Sequence, residues 1–264
     1  MSVSLLISTY NWPQALDLVL RSVIRQSRQP DEVLIADDGS DERTAEMIGD
    51  YASRLPIKHV WHKDEGFRKS LVLNKAVRQA TNPYIIEIDG DIVIHRHFIK
   101  DHLTVAERGY FVQGSRVMAS EKLTINAIQE KQLDFNFLSK GLSGRFNAIR
   151  LPAFSSVFRS KPFSSRNIKG CNLAFWKDDY IKVNGYYNGF EGWGWEDCEF
   201  AERLINVGIK KKRLKWAAIG YHLYHPISSK GNFGMNKQIY DESVAQKLSY
   251  REPGYLQTAS SIIT

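Results

Sequence analysis

A chain of 264 residues with 43% hydrophobic and 25% charged residues has the composition of a folded protein, and it is long enough to bury a core without disulfides or a structural metal. Two cysteines, Cys171 and Cys198, no N-x-[ST] site and a start, MSVSLLISTY, with neither a basic leader nor a cleavage site lead to the expectation of an intracellular, cytoplasmic protein. No apolar stretch approaches the ~18 residues of a transmembrane helix.

The first hundred residues alternate between strand and helix signals. Val3 to Ser8 is a short apolar run, followed by a helix with Pro13 in its first turn and a stripe at Ala15, Leu16, Val19, Leu20, Val23 and Ile24. A second run, EVLIAD from Glu32 to Asp37, leads through Asp38, Gly39 and Ser40 into a helix with Asp41 and Glu42 in its opening turn. Ile57 to Trp61 is a third strand, Arg68 to Ala80 a third helix, and YIIEID from Tyr84 to Asp89 a fourth strand. Runs this short and apolar on both faces suit parallel strands covered by helices, which predicts an α/β fold with one open, doubly wound sheet.

The rhythm then weakens. Residues 96–108 read as a helix and Tyr110 to Val117 as a strand. Residues 121–166 read as a long irregular stretch, which is a functional loop, a lid or a disordered segment. Order returns at Cys171 to Trp176, at a helix from Asp197 to Val207 and at a strand near Leu214 to Gly220, and a loose tail begins at about Arg251. The expected division is an α/β half (1–110), a second part of the same domain (111–250) and a tail (251–264).

Carboxylates at the ends of strands are the first chemical signal, because ligands of open α/β sheets bind at that edge. Asp37 and Asp38 end the second strand. Asp89, Gly90 and Asp91 end the fourth, and two acids around a glycine either hold a hard divalent cation or form a turn. No G-x-G-x-x-G or P-loop motif is present, so a phosphorylated ligand would rely on a metal at Asp91 and on Arg68 and Lys69. The second signal is Gly192-Trp193-Gly194-Trp195-Glu196-Asp197, where flat aromatic faces stand beside carboxylates at a helix start. The third is YHLYHP, whose His222 and His225 either share a metal with Asp91 or pack as neutral rings. The net charge of +7 gathers partly at Lys210, Lys211, Lys212, Arg213 and Lys215. That run is a solvated face, a polyanion contact or a site of attraction to anionic lipid.

Taken together, VSLLISTYN, QPDEVLIADDGS and the DGD at 89–91 resemble the family 2 glycosyltransferases of GT-A fold. Residues 170–202 are similar to the C-terminal part of β-1,4-galactosyltransferases and bacterial chondroitin-polymerase-type enzymes. The resemblance implies a mostly parallel sheet with a smaller C-terminal acceptor-side lobe, residues 1–110 forming the nucleotide-sugar-binding half and 111–250 the acceptor-binding and catalytic part of the same domain. It also implies inverting transfer of a sugar from a nucleoside diphosphate sugar, usually UDP-linked, to a glycan or lipid-linked acceptor of surface polysaccharide or lipopolysaccharide.

By position, the resemblance places Thr9, Tyr10, Asn11, Asp37 or Asp38, Asp64, Arg68 and Asp89 around the nucleotide. Asp91 with His222 or His225 would bind Mn²⁺ or Mg²⁺, Asp197 would be the base, and Trp195 and Glu196 would line the sugar. Gly90 departs from the usual polar middle residue of the DxD motif. A nucleotidyltransferase and a non-catalytic carbohydrate-binding module are the competing readings, nucleic acid is not an expected partner, and the basic run would dock the chain at the inner membrane face.

Overall fold

The computed structural model describes residues 1–157, 162–226 and 231–258. Its first four strands, β1 (Val3–Thr9), β2 (Glu32–Asp37), β3 (Ile57–Trp61) and β4 (Tyr84–Asp89), are parallel, with β1 between β2 and β4. Each crossover is a helix: α1 (Pro13–Ile24), α2 (Glu42–Gly49) and α3 (Lys69–Gln79). All six residues of β2 are buried, because helices cover both faces of the sheet. On one face Leu16, Val19, Leu20 and Val23 of α1 pack with Leu5, Ile7, Ile35 and Ile86. On the other, Val72, Leu73, Ala76 and Val77 of α3 pack with Leu6, Leu34 and Ile85.

The remaining elements are β5 (Ile92–Ile94), α4 (Phe98–Val105), β6 (Tyr110–Gln113), β7 (Arg116–Ala119), α5 (Glu121–Glu130), β8 (Leu142–Ser143), β9 (Leu173–Trp176), α6 (Lys177–Lys182), α7 (Glu196–Asn206), β10 (Lys210–Arg213), β11 (Gly220–His222) and α8 (Phe233–Ala245). The main sheet has seven strands in the order β10-β6-β9-β4-β1-β2-β3, with β9 antiparallel to both its neighbours. A second sheet, β5-β11-β7-β8, packs its own apolar cluster of Val93, Val117, Ala127, Phe135, Ile219 and Tyr221. The mostly parallel α/β architecture is as expected; the second sheet builds the other wall of the site.

Several local expectations are corrected. The single strand expected over 110–117 is two strands in two sheets. Asn172 causes the break: its Nδ2 donates to Ser115 O and Ala218 O, and its Oδ1 meets His102, so the chain is turned at Gly114 and Ser115. The strand expected near Leu214 to Gly220 is a turn with Trp216 and Ala218 at positive φ, and pairing occurs on either side of it. The stretch from 121 to 166 contains α5, capped by Ser120 Oγ accepting from Leu123 N–H, together with β8 and two short 3₁₀ turns. Residues 251–258 are not a loose tail: Tyr255 and Thr258 are buried, and Asn184 holds Arg251 O and Leu256 N–H. Residues 259–264 lie outside the described residues.

Candidate active site

The carboxyl ends of β1 and β4, the start of α7 and the second sheet enclose a cavity of about 660 Å³. Thr9, Tyr10, Asp38, Asp89, Asp91, Trp195, Glu196, Asp197, His222 and His225 all line it. Residues far apart in sequence therefore share one hollow. Asp91 and Asp197, which the resemblance gives to the metal and to the base, both line it.

Asp91 leaves β4 just beyond Gly90. A Cβ on Gly90 would lie 2.8 Å from Ser8 O and 3.1 Å from Thr9 Oγ1, so here the middle residue of the motif is pressed against β1 and has no room for a polar side chain. Asp91 Oδ2 stands 3.2 Å from His225 Nε2 and 3.7 Å from His222 Nε2. One ligand atom from each of the three residues falls within 4.8 Å of the others. Both histidines direct Nδ1 at a backbone carbonyl 2.8 Å away, His222 at Leu223 O and His225 at Pro226 O. A carbonyl can only accept, so Nδ1 carries the proton and Nε2 presents a lone pair. Two lone pairs facing a carboxylate repel unless a cation lies between them. Asp91 Oδ1, moreover, is buried without a partner among the described residues. The trio fits a divalent cation. With no cation, the Asp91 hydrogen bond pushes His225 up to about 9.

Asp197 is the second residue of α7. Its Oδ2 accepts the Gly170 N–H at 2.7 Å, while Oδ1 is buried without a partner among the described residues. A methyl group on Gly170 would lie 2.5 Å from Asp197 Oδ1 and 3.0 Å from Glu87 Oε1, so two carboxylates converge on the space this glycine leaves. Burial raises Asp197 above the ordinary carboxylate range, and Lys69 opposes that shift. Burial, then Asp197, push Glu196 up to about 7, and its Oε2 accepts Gly194 N–H at 3.1 Å. Trp195, at φ 74°, stacks on Tyr240 at 5.1 Å, and Trp193 stacks on Phe233 at 5.7 Å.

Asp89 plays a different part from Asp91. Burial works against its charge, but Lys69 Nζ at 2.7 Å and Ser8 Oγ at 2.9 Å hold its carboxyl below the usual range. Lys69 is mostly but not fully buried, and although burial works against its charge, Asp89, Asp197, Glu196 and Glu87 together keep it well above its ordinary value.

Of the DD pair only Asp38 faces the cavity, and it is braced by His62 Nε2 at 2.8 Å and Arg68 N–H at 2.9 Å. Asp37 lies beneath, accepting Ser40 N–H and meeting His59 Nε2, and it holds the turn together. Asn11 likewise braces the turn, its Oδ1 accepting Asp41 N–H. Asp64 accepts Tyr10 OH at the exposed rim, and Arg68 stands 3.4 Å from Glu191. None of Asp37, Asn11, Asp64 and Arg68 is among the cavity-lining residues.

Sequence reasoning did not single out Glu87, Gly170, Arg116 or Phe233. Glu87 had a signal, as the one acid inside the apolar run YIIEI. Burial pushes it well above the carboxylate range, and Tyr186 OH donates to it. Phe233 had none.

The glycosyl transferase family 2 model matches residues 4–166, and a model described as the N-terminal domain of galactosyltransferase matches residues 153–226. The chain is 27% identical to a chondroitin synthase of Escherichia coli across 94% of its own length and 38% of the relative's. It is 26% identical to a hyaluronan synthase of Pasteurella multocida across 85% and 25%. The chain thus spans well under half the length of these relatives. Among solved structures, residues 1–349 of S. aureus TarS in complex with UDP superpose with a TM-score of 0.63 at 15% identity, over 92% of this chain and 65% of that one. A mannosyltransferase of Pyrobaculum calidifontis in complex with GDP-Man and Mn²⁺ gives 0.62 at 15%, over 92% and 64%. These likenesses carry the GT-A-like fold, and with a family model matched over more than half its length, the chain belongs to glycosyl transferase family 2.

Proposed function

We propose that the protein is an inverting, metal-dependent hexosyltransferase that moves a sugar from a nucleoside diphosphate sugar, UDP-linked, to a hydroxyl of a glycan or lipid-linked acceptor in surface polysaccharide or lipopolysaccharide synthesis. The observation that carries this reading is the shared cavity: a cation-type trio on one wall and a half-bare buried carboxylate on another. The synthases among its relatives, and the UDP and GDP-Man held by the two structural neighbours, support it.

Asp197 acts as general base. Gly170 N–H fixes one of its oxygens, and the other takes the proton of the acceptor hydroxyl as that oxygen bonds to the anomeric carbon. Attack from the face opposite the diphosphate breaks the bond to the leaving oxygen and inverts the carbon. Burial makes this carboxylate more basic than an exposed one, while Lys69 favours its ionised form. Thr9, Tyr10 and Asp38 line the nucleotide end, with Asp64 bonded to Tyr10 and the Arg68 N–H to Asp38 just outside it, and Trp195 and Glu196 flank the sugar. Asp91, His222 and His225 would hold a divalent cation, which when bound would supply Lewis-acid stabilisation of the departing diphosphate, and two imidazoles among the donors would favour Mn²⁺ over Mg²⁺. Cytoplasmic placement belongs to the same proposal; among the described residues, no helix is long and apolar enough to cross a membrane.

UDP release from a panel of UDP-sugars with Mn²⁺ tests the reading. Asp197→Asn should slow release by about 10²- to 10⁴-fold while UDP affinity stays within a few-fold. Undiminished turnover in that variant removes Asp197 as the base. Absence of release with every donor, together with metal-independent nucleotide binding, points instead to a binding module.

A further inference from the structure

The 43 residues from 135 to 177 contain eight of the 36 basic residues and none of the 29 acidic ones, so this segment is +8 while the rest of the chain is net −1. The same segment exposes large apolar side chains. Leu138 is 79% exposed and Phe146 69%, and the ring of Phe137 lies 5.7 Å from that of Phe146. Exposed Lys140 and Arg145 bracket β8, between the Phe137–Leu138 turn and Phe146. Arg150, by contrast, spends its guanidinium on Asp101.

Single exposed apolar residues are ordinary, but an apolar knob flanked by cations with no acid in the segment is not. A polyanionic glycan would account for the cations and leave Leu138 unexplained. A bilayer with anionic headgroups accounts for both, since apolar side chains enter the interface while Lys and Arg remain at phosphate level.

The basic run at 210–215 is a poorer dock. Lys212 is paired with Glu107, and Lys211 Nζ donates to Ser164 O. The knob also sits beside the cavity: β8 pairs with β7, whose Arg116 and Met118 line it, and Asn147 Nδ2 donates to Arg116 O. We infer that the face formed by Phe137, Leu138, Lys140, Arg145 and Phe146 docks the protein on an anionic lipid bilayer, independently of the sugar chemistry proposed above.

Co-sedimentation of the full chain with vesicles at low salt tests this. The wild type should pellet with phosphatidylcholine vesicles rich in phosphatidylglycerol and not with phosphatidylcholine alone. Leu138→Ser with Phe146→Ser should weaken binding at least about tenfold, given the apolar area withdrawn from the interface. Lys140→Gln with Arg145→Gln should weaken it about fivefold per cation and flatten its salt dependence. Lys210→Gln with Lys212→Gln should leave it unchanged.

The inference is overturned if the wild type ignores phosphatidylglycerol, or if the Lys210/Lys212 pair alone carries binding. It is also overturned if the chain binds heparin but no vesicle. Circular dichroism melting checks the fold of each variant, and if the apolar pair does not fold, the Lys140/Arg145 pair decides.

Discussion

Gly170 has no side chain, and the volume a methyl group would fill is already claimed by Asp197 Oδ1 and Glu87 Oε1. Gly170→Ala should therefore displace the Asp197 carboxylate while leaving the surrounding strands in place. The expected result is a fall in kcat of roughly 10²-fold with nucleotide affinity retained, read by steady-state kinetics beside a UDP titration. Glu196 allows a test of electrostatics. In the fold it holds its proton up to about 7, whereas its ordinary value is 4.5. A group raised in this way contributes stability that is full below pH 4.5 and is lost as pH rises through 7. Glu196→Gln keeps the neutral form at every pH. The variant should melt above the wild type at pH 8, by on the order of 3 kcal/mol at most, and the difference should vanish at pH 4. A constant offset at both pH values would count against a buried, protonated Glu196.

β10 consists of Lys210, Lys211, Lys212 and Arg213 at the edge of the main sheet, parallel to β6. Lysines on a sheet edge resist pairing with another chain, because each added strand would have to bury an ammonium, and here the outward Lys211 N–H is also taken by Pro162 O. This explains the basic run without any ligand. Lys210→Val with Lys212→Val should leave the chain folded but drive concentration-dependent association, seen as rising light scattering. The same strand shows why parts of the fold were hard to read from sequence. β1, β2 and β4 are buried on both faces and stand out as apolar runs, whereas four cations in a row have no alternation to detect. α8 buries Asn236, Tyr240 and Ser243, a helical stripe made of polar residues, so its face is invisible to an apolar period. α5 buries only Thr124 and Ala127, although Ser120 before Glu121 was a usable cap signal. The site was more legible than these helices, because its chemistry needs particular residue types. DGD, GWGWED and YHLYHP were each visible, and the structure brings Asp91, Asp197, His222 and His225 to one hollow. What spacing could not show was that Asp37 and Asn11 brace a turn, or that Glu87 stands behind Asp197, since those depend on which way a strand faces.

At the scale of the whole molecule the three cation-type residues come from segments far apart in sequence that meet where β5 pairs with β11, Asp91 O accepting the Leu223 N–H at 2.9 Å. Asp91 follows β4 of the main sheet, while His222 ends β11 of the second and His225 lies just beyond it. A metal held there would tie these distant chain segments together and bind the folded form alone, so Mn²⁺ at about 100 times its Kd should add about 2.7 kcal/mol of stability. For a chain of this size that is a rise in Tm of several degrees by differential scanning fluorimetry. His222→Ala should abolish the Mn²⁺-dependent rise, and a rise that persists would place the ion elsewhere.

The order β10-β6-β9-β4-β1-β2-β3 interleaves late strands with early ones: β9, formed by residues 173–176, lies directly against β4. Donor and acceptor preferences therefore cannot be traded between relatives by cutting the gene at residue 110 and joining foreign halves. Each graft would set a foreign β9 against β4 in the middle of the sheet, where their packing has not been matched. Chimeras that work should exchange the connections crossing the cavity rim and leave the shared sheet intact.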